Sequence, residues 1–302
     1  MIFDPGLVHA PLTPFSPDRR IDFALYERII AFHLRYGAQA LAVPMHVGES
    51  VSLTDAERRA LIEFAVERAA NVPVMAHVSD AGTGIAAALA QHAQRARAAA
   101  IIATTPYYWT PPPDMVLQHF SQIGAAVDLP FFVLNAPDDM AGSKINAALA
   151  VKLIGKLPNF CGVIDSSLDW QFMTELLTEA GRVRPDFVLI AGNELMVSAG
   201  AIGARGMMSA LAVIAPKLVS ELAVLCHAQK FFEARALQER AAALRQVVKQ
   251  GGVATLKAAA GIMGRDCGAP RPPLLPLDAA AEKKLAVKLA TLPFLTAEPH
   301  GW

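Results

Sequence analysis

Two histidines stand where short apolar runs of this chain end: His46 directly follows the run 40–45, and His77 sits near the end of the run 72–78. Imidazole titrates near neutral pH and serves as acid, base or metal ligand. If both runs are neighbouring strands, the two rings reach the same end of one sheet. Three uses follow from that placement: filling the sheet end with hydrogen bonds to backbone, proton transfer by His46, or a metal shared by His46 and His77. No third ligand stands out beside them. Glu49, Asp165 and Glu194 join the candidates only if their side chains face inward, and His9, Asn193 and Met208 are further lining candidates.

The elements that must position these residues are legible as an alternation. Strand-like apolar runs fall at 7–13, 40–45, 72–78, 99–104, 131–135, 161–165, 187–192 and 206–210. Between them lie stretches with helical spacing, such as Phe23, Tyr26, Ile29, Ile30 and His33. Thr54 with Glu57 three residues on predicts a capping box, and Asp22 predicts a cap on the first helix. Eight doubly buried runs joined by crossover helices predict a parallel sheet, and eight strands close a barrel. The expected fold is an α/β (β/α)8 TIM barrel over 1–214. Its last helix and a C-terminal helical extension, with helices at about 215–229, 231–249 and 278–291, occupy 215–302 and pack on the barrel as one structural unit. A doubly wound open sheet is the alternative, without a Gly-rich phosphate loop to support it.

The chain has 302 residues, is 54% hydrophobic and 18% charged, and carries no formal net charge, so it has material for a large core and no basic stripe for nucleic acid. Its apolar runs are broken before membrane-spanning length, and its start lacks the pattern of a secretory signal. Cys161, Cys226 and Cys267 are scattered, in neither a disulfide framework nor a metal cluster. A cytoplasmic protein with no nucleic-acid or membrane partner is expected.

Several segments are similar to motifs of one family. Pro11-Leu12-Thr13-Pro14-Phe15, Gly48-Glu49-Ser50, Thr105-Pro106-Tyr107-Tyr108, Asn135-Ala136-Pro137, Gly162-Val163-Ile164-Asp165-Ser166-Ser167, Gly192-Asn193-Glu194, Gly203-Ala204-Arg205-Gly206 and Arg271-Pro272-Pro273 occur in order at the expected spacing. The set resembles the dihydrodipicolinate synthase / N-acetylneuraminate lyase family, from about Leu7 to Leu292. The resemblance implies a lyase acting on 2-oxo acids such as pyruvate through an iminium on a strand-six lysine. It also implies a strand-five catalytic tyrosine, substrate carboxylate held by amides of the strand-two loop, and a homo-oligomer built as a dimer of dimers. In many members a tyrosine matching Tyr108 reaches into a neighbouring subunit's site.

This chain departs from that pattern where the chemistry resides. Ile164 falls at the lysine position and Leu134 at the tyrosine position. A hydrocarbon cannot attack a carbonyl, and leucine relays no proton. His46 and Val47 replace the paired threonines of the strand-two loop, and Asp139 stands where dihydrodipicolinate synthases hold their second substrate with arginine. Lys144 and Lys257 are not on strands, whereas an imine-forming lysine needs a desolvated place. The resemblance with these departures implies a lyase or hydratase that acts on a small carboxylate by acid–base groups, without imine chemistry and without cofactor or resident metal. Catalytic candidates are His46 and Tyr108; binding candidates are Val47, Gly48, His77, Asn135, Asn193 and Met208. A non-catalytic acid-binding relative (sensor or partner subunit) is the alternative, and a metal-dependent aldolase using His46 and His77 the third reading.

Overall fold

Eight apolar runs become eight parallel strands in the computed structural model, which describes residues 5–108, 110–137 and 144–302. The strands are β1 (Leu7–His9), β2 (Ala40–Val43), β3 (Val74–His77), β4 (Ala100–Thr104), β5 (Phe131–Asn135), β6 (Phe160–Asp165), β7 (Val188–Ala191) and β8 (Gly206–Ser209). They close in sequence order, β8 pairing with β1. The fold is therefore the expected (β/α)8 barrel.

Alternation along each strand divides its residues between two cores. Val8, Ala42, Met75, Ile102, Phe132, Leu134, Ile164, Ile190 and Met208 meet inside the barrel. Leu7, Leu41, Val74, Ile101, Phe131, Val163, Leu189 and Met207 point outward to the helices. Large and small residues are matched across the interior: Phe132 is in register with Gly162, and Leu134 with Ile164. Gly162 has to be glycine, because an added Cβ would lie 2.1 Å from the Val188 carbonyl oxygen.

The barrel helices are α1 (Phe23–Arg35), α2 (Asp55–Arg68), α3 (Thr83–Arg95), α4 (Pro113–Ala125), α5 (Ala147–Lys156), α6 (Trp170–Val183), α7 (Met196–Ala201) and α8 (Pro216–His227). Asp22 accepts the Leu25 N–H at 2.9 Å, capping α1 as expected. The α2 capping box forms in both directions: Thr54 N–H donates to Glu57 at 2.9 Å, and Glu57 N–H to Thr54 Oγ1 at 3.3 Å. Beyond the barrel come α9 (Phe231–Lys249), α10 (Gly252–Ile262) and α11 (Ala279–Ala290).

Two differences from expectation have plain causes. The first strand ends at His9, not at Thr13, because Pro11 and Pro14 cannot donate to a ladder. Helix α10 is absent from the sequence reading because it is buried on most sides, so no polar face marks its period, and Gly251-Gly252 opens it. The C-terminal segment is latched by Arg265, a fully buried guanidinium that donates to the Val213, Ile214, Pro299 and Gly301 carbonyls. Trp302 meets Phe32 of α1 edge-on at 5.7 Å.

Candidate active site

The C-terminal ends of the strands surround a cavity of about 170 Å³. Ala10, Met45, Leu134 and Met208 supply apolar lining, and His46, Val47, Ser166 and Glu194 come from the loops after β2, β6 and β7. Arg245 and Lys249 of α9 with Val253 and Leu256 of α10 complete the enclosure. A cavity of about 150 Å³ holds a benzene molecule, so this one suits a small metabolite. Ile164 is fully buried within the barrel interior, between Leu134 and Ile190 on the adjoining strands, and does not reach the cavity.

The strand-two loop is a one-turn 3-10 segment, His46–Gly48, held from three sides. Gly48 N–H donates to the Met45 carbonyl at 2.9 Å, so this amide is spent on the turn and is not offered to a ligand. The Thr13 hydroxyl donates to the Gly48 carbonyl at 2.6 Å. Glu49, in the left-handed region at φ 60°, turns its carboxylate away from the cavity. There it pairs with Lys257 Nζ at 2.7 Å and accepts the Arg271 N–H at 2.7 Å. Lys257 is in turn 4.4 Å from the Phe15 ring. Burial lowers the Lys257 pKa and the Glu49 charge opposes that shift. Lys257 is thus a tether for the loop, and Lys144 is exposed. His46 and Val47 remain on the cavity wall.

His77 is fastened elsewhere. Its Nδ1 lies 3.0 Å from the Pro44 carbonyl, which can only accept, so Nδ1 carries the proton. Nε2 then accepts the Ser79 hydroxyl at 2.7 Å, and Ser79 Oγ accepts the Thr104 N–H at 2.8 Å. Burial pushes the His77 pKa down to about 3 and keeps the ring neutral. The histidine therefore binds β2, β3 and β4 together and does not line the cavity. Among the described residues no three His, Cys, Asp or Glu side chains gather as a metal site. His9 lies behind β1, its Nδ1 3.0 Å from that of His33, and burial pushes its pKa to about 3.

Asn135 and Asp165 form a second network outside the cavity lining. Asn135 Nδ2 donates to Asp165 at 2.6 Å, and the Ser167 hydroxyl donates to the other carboxylate oxygen at 2.9 Å. Burial raises the Asp165 pKa despite these bonds. Asn193 is buried behind the site and accepts the Leu195 N–H at 3.2 Å. Tyr108 is 97% exposed with φ 83°, away from its own chain's cavity. Trp109 and Asp139 lie outside the described residues.

Of the inward-facing acids considered from sequence, Glu194 alone lines the cavity. One carboxylate oxygen accepts the Ser209 hydroxyl at 2.7 Å and the N–H groups of Ala210 and Leu211 at 3.0 and 3.1 Å. The other pairs with Arg245 Nη1 at 3.0 Å. Arg245 and Lys249 escaped sequence reasoning because a charged pair on an amphipathic helix reads as a solvated face. The arrangement offers a cationic rim, one imidazole and an apolar floor to an anionic ligand.

A profile of the dihydrodipicolinate synthetase family matches residues 4–292. The chain belongs to that family. It is 32% identical over 289 residues to a 4-hydroxy-tetrahydrodipicolinate synthase of Methanosarcina mazei, covering 95% of this chain and 98% of that protein. Among solved family structures, dihydrodipicolinate synthase from Aquifex aeolicus superposes with a TM-score of 0.88 at 27% identity, over 96% of this chain and 99% of that one. The fold is also that of YagE, a prophage protein of the family from E. coli K12 in complex with pyruvate, with a TM-score of 0.90 at 23% identity over 96% and 98% of the chains. This family member is a lyase-type barrel, and among its described residues no helix is long and apolar enough to cross a membrane.

Proposed function

We propose that this family member binds a small carboxylate at the barrel mouth and acts on it as a lyase or hydratase by acid–base groups, with no imine to the protein. The observation that carries this reading is Ile164 sealed in the barrel interior beside Leu134, where the resemblance calls for lysine and tyrosine. The amine lining the cavity, Lys249, is exposed at the end of α9, unlike the desolvated setting that favours imine formation. His46 then takes the proton from the carbon beside the ligand carboxylate. The C–H electron pair becomes the new double bond as the leaving group departs from the adjacent carbon with its own pair. That YagE, which shares this fold, was solved in complex with pyruvate supports the expectation of a small acid as ligand.

Reaction with pyruvate and sodium borohydride is the direct test: the protein mass stays unchanged, whereas a reduced adduct on any lysine refutes the reading. A positioned base contributes about 10²–10⁴-fold, so His46→Ala loses that much turnover and keeps ligand affinity. Proton exchange of bound 2-oxo and 2-hydroxy acids, followed by NMR, provides the assay. An acid that binds without exchange or turnover favours the second reading, a non-catalytic sensor or partner subunit. That reading draws on Glu194 being fully engaged by Arg245 and β8. The third reading, a metal-dependent aldolase, gains nothing from a His77 whose two nitrogens are both committed. The exposure of Tyr108 on a strained backbone supports a homo-oligomer in which this ring is covered by a neighbour. Binding candidates Asn135 and Asn193 act in this reading as supports for the strand ends, with Met208 and Val47 in contact with ligand.

A further inference from the structure

The charges that face the cavity do not balance. Arg245, Lys249 and Glu194 are its charged lining residues, two cations against one anion. Glu194 is already satisfied, one oxygen by a hydroxyl and two backbone N–H groups and the other by Arg245. It therefore acts as a mount. Ser209, Ala210 and Leu211 fix it to the end of β8, and it fixes the guanidinium above the cavity. Glu194 occupies Nη1 of Arg245, and the side chain keeps 32% of its surface open. A guanidinium has five N–H donors, and the Glu194 contact is made through Nη1, so donors remain for a ligand in the cavity that Arg245 lines. Lys249 follows four residues later, so both cations leave the same face of α9 one turn apart. Lys249 has no ion-pair partner among the described residues.

A single carboxylate at the His46–Val47 wall would leave this rim unanswered. Apart from the Ser166 hydroxyl, the side chains that the strands and their ends add to the lining are hydrocarbon: Ala10, Leu134, Ala136 and Met208. A ligand that matches both ends carries an anionic group at each, separated by a short carbon chain. The volume of about 170 Å³ limits that chain to a few carbons. We propose that Arg245 and Lys249 form an anion clamp, and that the substrate is a dicarboxylic acid of about four carbons. The inference rests on the reading that this cavity binds a small carboxylate, and it specifies the class of acid.

Isothermal titration of the full chain with succinate, butyrate and pyruvate tests the clamp. Succinate and butyrate differ by the second carboxylate. Succinate binds at least about tenfold more tightly than butyrate, a charge-assisted contact being strong, and its affinity falls more steeply with added salt than that of the singly charged butyrate. Lys249→Met, a change at an exposed helix end, weakens succinate about tenfold and leaves butyrate unchanged. Arg245→Lys keeps the charge on the Glu194 mount and retains part of the succinate preference, whereas Arg245→Met abolishes it. Equal affinity of wild-type protein for succinate and butyrate overturns the clamp and leaves the carboxylate reading standing. Failure of all three acids to bind overturns both.

Discussion

Lys257→Met separates the tether of the strand-two loop from its chemistry. The Lys257 ammonium and the Glu49 carboxylate are 3% and 0% exposed in their side chains and 2.7 Å apart. Methionine fills a similar volume and keeps contact with Phe15, so packing changes little. The carboxylate left behind retains the Arg271 N–H as its remaining partner and has no water to turn to. Breaking a buried pair from one side costs about 3–5 kcal/mol, while replacing both members is often close to neutral. For a chain of this size that loss lowers the melting temperature by roughly 10 °C, at about 2–4 °C per kcal/mol. Glu49→Gln in the same background keeps an acceptor for Arg271 and removes the stranded charge, so the double variant recovers most of the stability. Urea unfolding followed by circular dichroism on wild type, both single variants and the double gives the coupling. A cost below about 1 kcal/mol for Lys257→Met, or a double variant equal to the sum of the singles, refutes the argument that this amine is structural.

Acid should unfold the protein from within. His9, His33 and His77 are buried neutral, with pKa values depressed by desolvation, to about 3 for His9 and His77. In the unfolded chain they titrate near 6.5. Stability is therefore complete above that pH and is lost as pH falls toward 3, by up to ~4 kcal/mol per pH unit for three such groups. Urea midpoints that are equal at pH 7 and pH 5 would count against it. Gly162→Ala forces β6 and β7 apart at a backbone oxygen, a neighbour that cannot rotate away, so the loss reaches or passes ~3 kcal/mol. Phe132→Leu should not rescue it, because the ring is the farther of the two obstacles at 3.0 Å.

The barrel was legible because its strands are buried on both faces and its helices on one, two signals that differ in period. The α2 capping box and the Asp22 cap were legible because capping depends on local residue types. The site was readable only in part. Strand order placed His46 at the mouth, but nothing local reveals that Ser79 and Pro44 claim both nitrogens of His77. Gly48 has an amide in any sequence, and only the turn shows that Met45 uses it. Arg245 acquires meaning through Glu194, fifty-one positions away in the chain. Contacts of that kind depend on closure of the barrel, and no window of sequence contains them.

The Arg265 latch has a bearing on how the chain assembles. Its four carbonyl acceptors come from two stretches, one just after the last strand and the other at 299–301. A guanidinium is too costly to strip of water before its acceptors arrive. During synthesis, then, all eight strands can emerge and pair while this arginine stays wet and the Phe32 flank of α1 lies bare. Docking of residues 299–302 is the event that dries that flank, so until they arrive the nascent barrel carries an uncovered apolar side that holdases can grip.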